Sequence, residues 1–158
     1  MESSHHAEKQ EAEPQFQEAT EADCELMFRL QKLDGAELDP QNISQAATFE
    51  EYKKSFVPAE IQVIFLGEEP VGRLRVVRGE EIYIGGMQIL PEHRGKGIGT
   101  KILQVLIHES EQTQTPIRLE VFHGNQGALN LYEKMGFKVT EENEKQKIMT
   151  YSPGQSFL

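Results

Sequence analysis

Three glycines at alternate positions, flanked by two basic residues, stand where a strand-like segment gives way to a helix-like one: Arg94-Gly95-Lys96-Gly97-Ile98-Gly99-Thr100. A helix starting there leaves its first N–H groups without carbonyl partners, and its dipole adds partial positive charge. Glycine at 95, 97 and 99 removes the β-carbons that would hold a phosphate away from the backbone. Arg94 and Lys96 supply positive charge in a chain whose formal net charge is −10. The segment therefore predicts a strand–loop–helix unit with an anion site at the loop. A turn that merely begins a helix accounts for one glycine, not for three between basic residues.

The kind of phosphate ligand follows from spacing. A nucleoside-triphosphate loop needs Gly-x-x-x-x-Gly-Lys-Ser/Thr, but Gly95-Lys96 is followed by Gly97. A dinucleotide loop needs Gly-x-Gly-x-x-Gly; here position 100 is Thr and Gly99 arrives one residue early.

Around this loop the periodicity alternates between two and 3.6. Residues 16–20 read as a first strand. Residues 21–33 read as a helix with Leu26, Leu30 and Leu33 on one side, stopped by Asp34-Gly35. Residues 44–56 form a second helix candidate carrying Ala47, Tyr52 and Phe56. Residues 61–66, 71–77 and 81–90 form a meander of antiparallel strands. In the second of these, Arg73 and Arg75 alternate with Gly72, Leu74 and Val76; the third contains Gly85-Gly86, a sign of a bulge or close ligand approach, with strand fraying the alternative. The helix over 98–110 places Ile98, Ile102, Val105 and Leu106 on one face. Residues 117–122 alternate as a strand. Asn125 caps a helix bearing Ala128, Leu131, Tyr132 and Met135, and Gly136 takes the left-handed position after it. Two more strands flank Asn143. The expected order is β-α-α-β-β-β-α-β-α-β-β, an α/β domain with a mixed sheet.

At 158 residues one domain is expected, over 14–152, with tails at 1–13 and 153–158. No apolar run approaches the ~18 residues of a membrane span, so no membrane partner is expected. The acidic balance argues against nucleic acid and favours a cationic substrate. Cys24 is the only cysteine, which fits a reducing, cytoplasmic setting. Its acidic neighbours Glu21, Asp23 and Glu25 oppose a reactive thiolate. The pair His5-His6 lies in the tail, and no metal site is expected.

Residues 87–137 resemble the GCN5-related N-acetyltransferase (GNAT) family. The family's Arg/Gln-x-x-Gly-x-Gly/Ala pattern is written here as Arg94-x-x-Gly97-x-Gly99. Its second signature is matched by Asn125 followed by Ala128-Leu129-Asn130-Leu131-Tyr132-Glu133-Lys134-Met135-Gly136-Phe137. The resemblance implies the acyl-CoA N-acyltransferase fold: a mixed, mostly antiparallel sheet of six to seven strands flanked by about four helices. It implies acetyl-CoA as cosubstrate, without a metal. The backbone of Met87, Gln88 and Ile89 would pair with the pantetheine arm and point an N–H at the thioester carbonyl. Arg94, Gly95, Lys96, Gly97, Ile98, Gly99 and Thr100 would hold the pyrophosphate, and Asn125 would touch the pantetheine besides capping its helix.

By the same resemblance Tyr132 is the general acid that protonates the departing thiolate. A phenol and an alkyl thiol are close in acidity, so the transfer needs no strong acid. Glu120 is the first candidate for the base, with a surface ion pair to Arg118 as its structural alternative. Tyr83, Gln88 (through a water) and His123 are the other candidates. The expected reaction is direct attack by a primary amine in a ternary complex. A small cationic amine leads among acceptors; an amino sugar, an amino-acid derivative, and a protein N-terminus or lysine stay open. The alternatives are a non-catalytic CoA-binding regulatory module of the same fold and an interaction domain using a sheet edge. A homodimer is compatible with either.

Overall fold

In a computed structural model describing residues 13–38 and 48–154, seven strands form one sheet in the order β1-β2-β3-β4-β5-β7-β6. They are β1 (Gln15–Glu18), β2 (Ile61–Leu66), β3 (Glu69–Arg78), β4 (Ile82–Ile89), β5 (Ile117–Phe122), β6 (Lys138–Glu142) and β7 (Gln146–Tyr151). Among the described residues four α-helices accompany them: α1 (Cys24–Leu38), α2 (Phe49–Ser55), α3 (Ile98–Thr113) and α4 (Gln126–Lys134). Sequential hairpins make β2-β3-β4 and β6-β7 antiparallel. The α3 crossover makes β4 and β5 parallel.

Strand alternation divides the apolar side chains between two layers. Ile61 and Val63 of β2 join Met27 and Leu30 of α1 on one face. Ile64 of the same strand joins Leu74, Ile82, Leu119 and Met149 under α3 and α4 on the other. Met27, Ile102, Leu103 and Leu106 are fully buried, each contributing roughly 1.5–3 kcal/mol of transfer free energy.

Local chemistry explains where several helices begin and end. Thr48 and Glu51 exchange hydrogen bonds at 3.1 and 2.8 Å in a capping box ahead of α2. Beyond α4, Phe137 N–H reaches Tyr132 O and Gly136 N–H reaches Glu133 O, both at 3.0 Å. Gly136 has φ +102°, and the Tyr132 and Phe137 rings meet at 5.6 Å. This is the Schellman ending expected from the sequence.

Two expectations require correction. The first helix continues through Asp34-Gly35 to Leu38; an internal glycine costs only about 1 kcal/mol relative to alanine. Val105 is 51% exposed and Leu103 takes the core position instead. With the neighbouring stripe already at Ile98, Ile102 and Leu106, residue 105 falls at its edge. The second helix is described only from Phe49, and positions 44–47 of that expectation lie outside the described residues, as do 1–12 and 155–158 of the tails. Among the described residues no helix is long and apolar enough to cross a membrane.

Candidate active site

The parallel strands β4 and β5 pair over three positions only: Ile82 with Ile117, Tyr83 with Arg118, and Ile84 with Leu119. Past that point β4 keeps its ladder with β3, and β5 keeps its ladder with β7. The two strands therefore part as a fork, and among the described residues no strand pairs with the β5-facing edge of β4 beyond Ile84. Register shifts at the same place: Arg75 faces Gly86, but Val76 faces Ile84, leaving Gly85 as the extra residue. That is the bulge read from the glycine pair.

The space above these glycines is taken by two arginines of β3. A β-carbon on Gly86 would lie 2.7 Å from Arg73 Nη1, and one on Gly85 would collide with Arg75 Nη1. Arg73 is only 5% exposed and donates from Nη1 to Gln88 Oε1 at 2.9 Å. Arg75 pairs with Glu60 at 3.2 Å. Neither arginine is among the site residues expected from the sequence. The available signal was their alternation in a strand whose hairpin partner carries two adjacent residues without side chains.

The glycine loop closes one end of the fork. Gly95 and Gly97 have φ +76° and +81°, and an added β-carbon at either would meet nothing within 4 Å. Gly97 is the N-cap of α3 with no side chain capping the helix. Its first-turn N–H groups thus face an exposed loop carrying Arg94 and Lys96. Arg94 Nε donates to Ile89 O at 2.9 Å, tying the loop to the end of β4. A β-carbon on Gly99 would sit 3.7 Å from both Met87 Cε and Leu131 Cδ2. The helix start, β4 and α4 therefore converge.

On α4, Asn125 Oδ1 accepts the Ala128 N–H at 3.1 Å, the cap expected of it. Tyr132 is 8% exposed within the α3–α4 core. On the opposite face of the sheet, Tyr83 Oη donates to Glu120 Oε1 at 2.6 Å. Arg118 Nη2 stands 3.6 Å from Glu120 Oε2. His123 Nε2 bonds Asn143 O at 2.8 Å; a carbonyl only accepts, so that nitrogen carries the proton and is turned to the β6–β7 hairpin. Cys24 is buried, and its thiol is pushed up by burial and by Glu21, against a smaller opposing effect of Lys53.

Burial, and then a hydrogen bond to a glutamate, push two phenols up to about 12: Tyr83 against Glu120, and Tyr151 against Glu111. Neutral phenol is favoured by folding at both. Their stabilising effect is complete below the ordinary tyrosine value near 10 and is lost as pH rises through about 12. An ultraviolet phenolate titration should show two late-ionising tyrosines, one of which disappears in Tyr83→Phe.

The arrangement can seat a phosphate-bearing ligand whose arm lies along the open edge of β4. The family model described as "Acetyltransferase (GNAT) family" matches residues 16–137. Mouse thialysine N-epsilon-acetyltransferase is 33% identical over 67 residues, covering 42% of this chain and 39% of that protein. The match thus spans well under half of that relative's length. An acetyltransferase from Thermus thermophilus superposes with a TM-score of 0.72, at 19% identity over 89% of this chain and 97% of that one. The PaiA N-acetyltransferase of Thermoplasma acidophilum, solved in complex with coenzyme A, gives 0.71 at 18% identity over 88% and 98%. At such identities the structural likeness establishes the fold.

Proposed function

The chain belongs to the acetyltransferase (GNAT) family, and we propose that it moves the acetyl group of acetyl-CoA onto a primary amine by direct attack in a ternary complex. The observation that carries this reading is the fork: β4 and β5 part after Ile84 and Leu119, and β4 runs on to a glycine-lined helix start that no side chain caps. Backbone groups of Met87, Gln88 and Ile89 would take the place of a strand partner for the pantetheine arm. The N–H groups from Gly95 to Thr100, with Arg94 and Lys96, would hold the pyrophosphate. Asn125 has its Oδ1 committed to the helix cap, which leaves its amide N–H₂ for the arm.

Glu120 would take a proton from the acceptor's ammonium group, freeing the nitrogen lone pair for attack on the thioester carbonyl. A strand N–H of β4 would face the negative charge growing on that oxygen. Tyr132 would give its proton to the CoA sulfur as the carbon–sulfur bond breaks. The nitrogen gives up two protons in all: the first stays on Glu120, and the second, lost from the tetrahedral intermediate, restores the Tyr132 phenol that protonated the sulfur. No acyl-enzyme is required, in keeping with the buried, raised thiol of Cys24.

For the acceptor we favour a small cationic amine. The net charge of −10 supports it, as does the small-molecule acceptor in the name of the mouse relative. The test is calorimetry with acetyl-CoA, followed by CoA release with thialysine, lysine, spermidine, glucosamine and a peptide bearing a free N-terminus. Micromolar binding with release on one amine class is the expected result. Binding without release on any amine would favour a regulatory CoA-binding module. No binding would overturn the reading.

A further inference from the structure

Glu120 stands just past the last paired positions of β4 and β5, on the face that alternation also gives to Arg118. A glutamate on an open strand face samples several rotamers. This one is held from the neighbouring strand, because Tyr83 Oη donates to Oε1 at 2.6 Å across the fork. Arg118 lies with its guanidinium carbon 5.5 Å from the Tyr83 ring centroid. Its Nη2, 3.6 Å from Oε2, is beyond hydrogen-bond length. From β7, the residues opposite Glu120 and Arg118 are Ile148 and Thr150, neither of them charged.

We propose that Tyr83 is a positioning residue: its hydroxyl pins Oε1 of Glu120 so that Oε2 is the oxygen that takes the acceptor's proton. The inference rests on the reading of Glu120 as the base and goes beyond it by naming the oxygen and the group that aims it. Tyr83 keeps its own proton throughout. Its phenol, pushed up to about 12 by burial and then by Glu120 itself, stays a donor and does not compete for the ammonium proton. That separates Tyr83 from the set of candidate bases in which the sequence left it.

A double-mutant cycle on the full chain tests this, with acetyl-CoA and the amine panel above. Tyr83→Phe keeps the ring beneath Arg118 and removes only the hydroxyl. Its kcat should fall about tenfold, the weight of one hydrogen bond to a charged group, with the KM for acetyl-CoA unchanged. The effect should vanish in the Glu120→Gln background. Glu120→Asp keeps a carboxylate but draws it away from the phenol, and should lose a similar factor. Wild-type kcat in Tyr83→Phe or in Glu120→Asp would overturn the proposal. So would an equal fall in both backgrounds of the cycle. Failure of the wild type to release CoA with every amine would overturn the parent reading and this one with it. An active wild type with an indifferent Tyr83→Phe would overturn this one alone.

Discussion

Calorimetry on Gly97→Glu is expected to show acetyl-CoA affinity reduced by about a hundredfold or more, the sum of two penalties. Gly97 has φ +81°, a conformation that costs a side-chain-bearing residue about 1–2 kcal/mol. The second penalty is electrostatic. A carboxylate at the N-cap of α3 would satisfy the same first-turn N–H groups that the pyrophosphate needs. Two like charges about 4 Å apart repel by roughly 4 kcal/mol near a protein surface. Space is not the obstacle, since nothing lies within 4 Å of an added β-carbon. The variant should therefore fold, with a melting point lowered by only about 2–8 °C, the shift that about 1–2 kcal/mol of backbone strain gives a chain of this size. Gly97→Asn separates the two penalties: asparagine tolerates the left-handed region and is neutral, so its affinity should fall by about tenfold at most. Wild-type affinity in Gly97→Glu would mean that the loop is a structural turn and that phosphate binds elsewhere or not at all.

The parts of this molecule that were legible in its sequence are those set by local chemistry. The loop at Arg94–Thr100 could be read because positive φ and open space are properties of glycine itself. The end of α4 could be read because Gly136-Phe137 encodes a Schellman turn within six residues. Alternation revealed which strand residues share a face. It did not reveal what covers that face, and the missed features all depend on this. No local signal marks Arg73 as buried, since arginine is seldom fully buried. Its burial depends on Gly86 leaving room across the ladder and on Gln88 Oε1 accepting its Nη1, a partnership between strands with no local signature. The Tyr83–Glu120 bond is of the same kind. The two residues are 37 positions apart and meet because α3 returns the chain parallel to β4. Val105 failed for a related reason. Helical spacing defines a stripe, but its edges are fixed by how closely the sheet approaches.

Replacing Tyr132 by phenylalanine should lower kcat by about a hundredfold, the lower end of what a positioned proton donor contributes, while leaving acetyl-CoA affinity unchanged. The ring is the structural part of this residue. It sits 8% exposed in the α3–α4 core and meets Phe137 at 5.6 Å. The Schellman bonds that end α4 use the backbone of Tyr132, not its hydroxyl. Phenylalanine keeps all of these, so a loss of rate cannot be charged to loss of the helix. What it removes is the proton that the departing CoA sulfur would receive. A thiolate is a tolerable leaving group without protonation, which is why the lower end of the range applies. The split between kcat and affinity is the decisive readout. An interaction made only as the carbon–sulfur bond breaks lowers kcat and kcat/KM together and does not touch ground-state binding. If Tyr132→Phe instead melts several degrees lower with kcat intact, the hydroxyl serves the core alone and the proton reaches sulfur from water. In that event the fork and the glycine loop would still bind acetyl-CoA, and the transfer would depend on Glu120 and the strand N–H without an acid from α4.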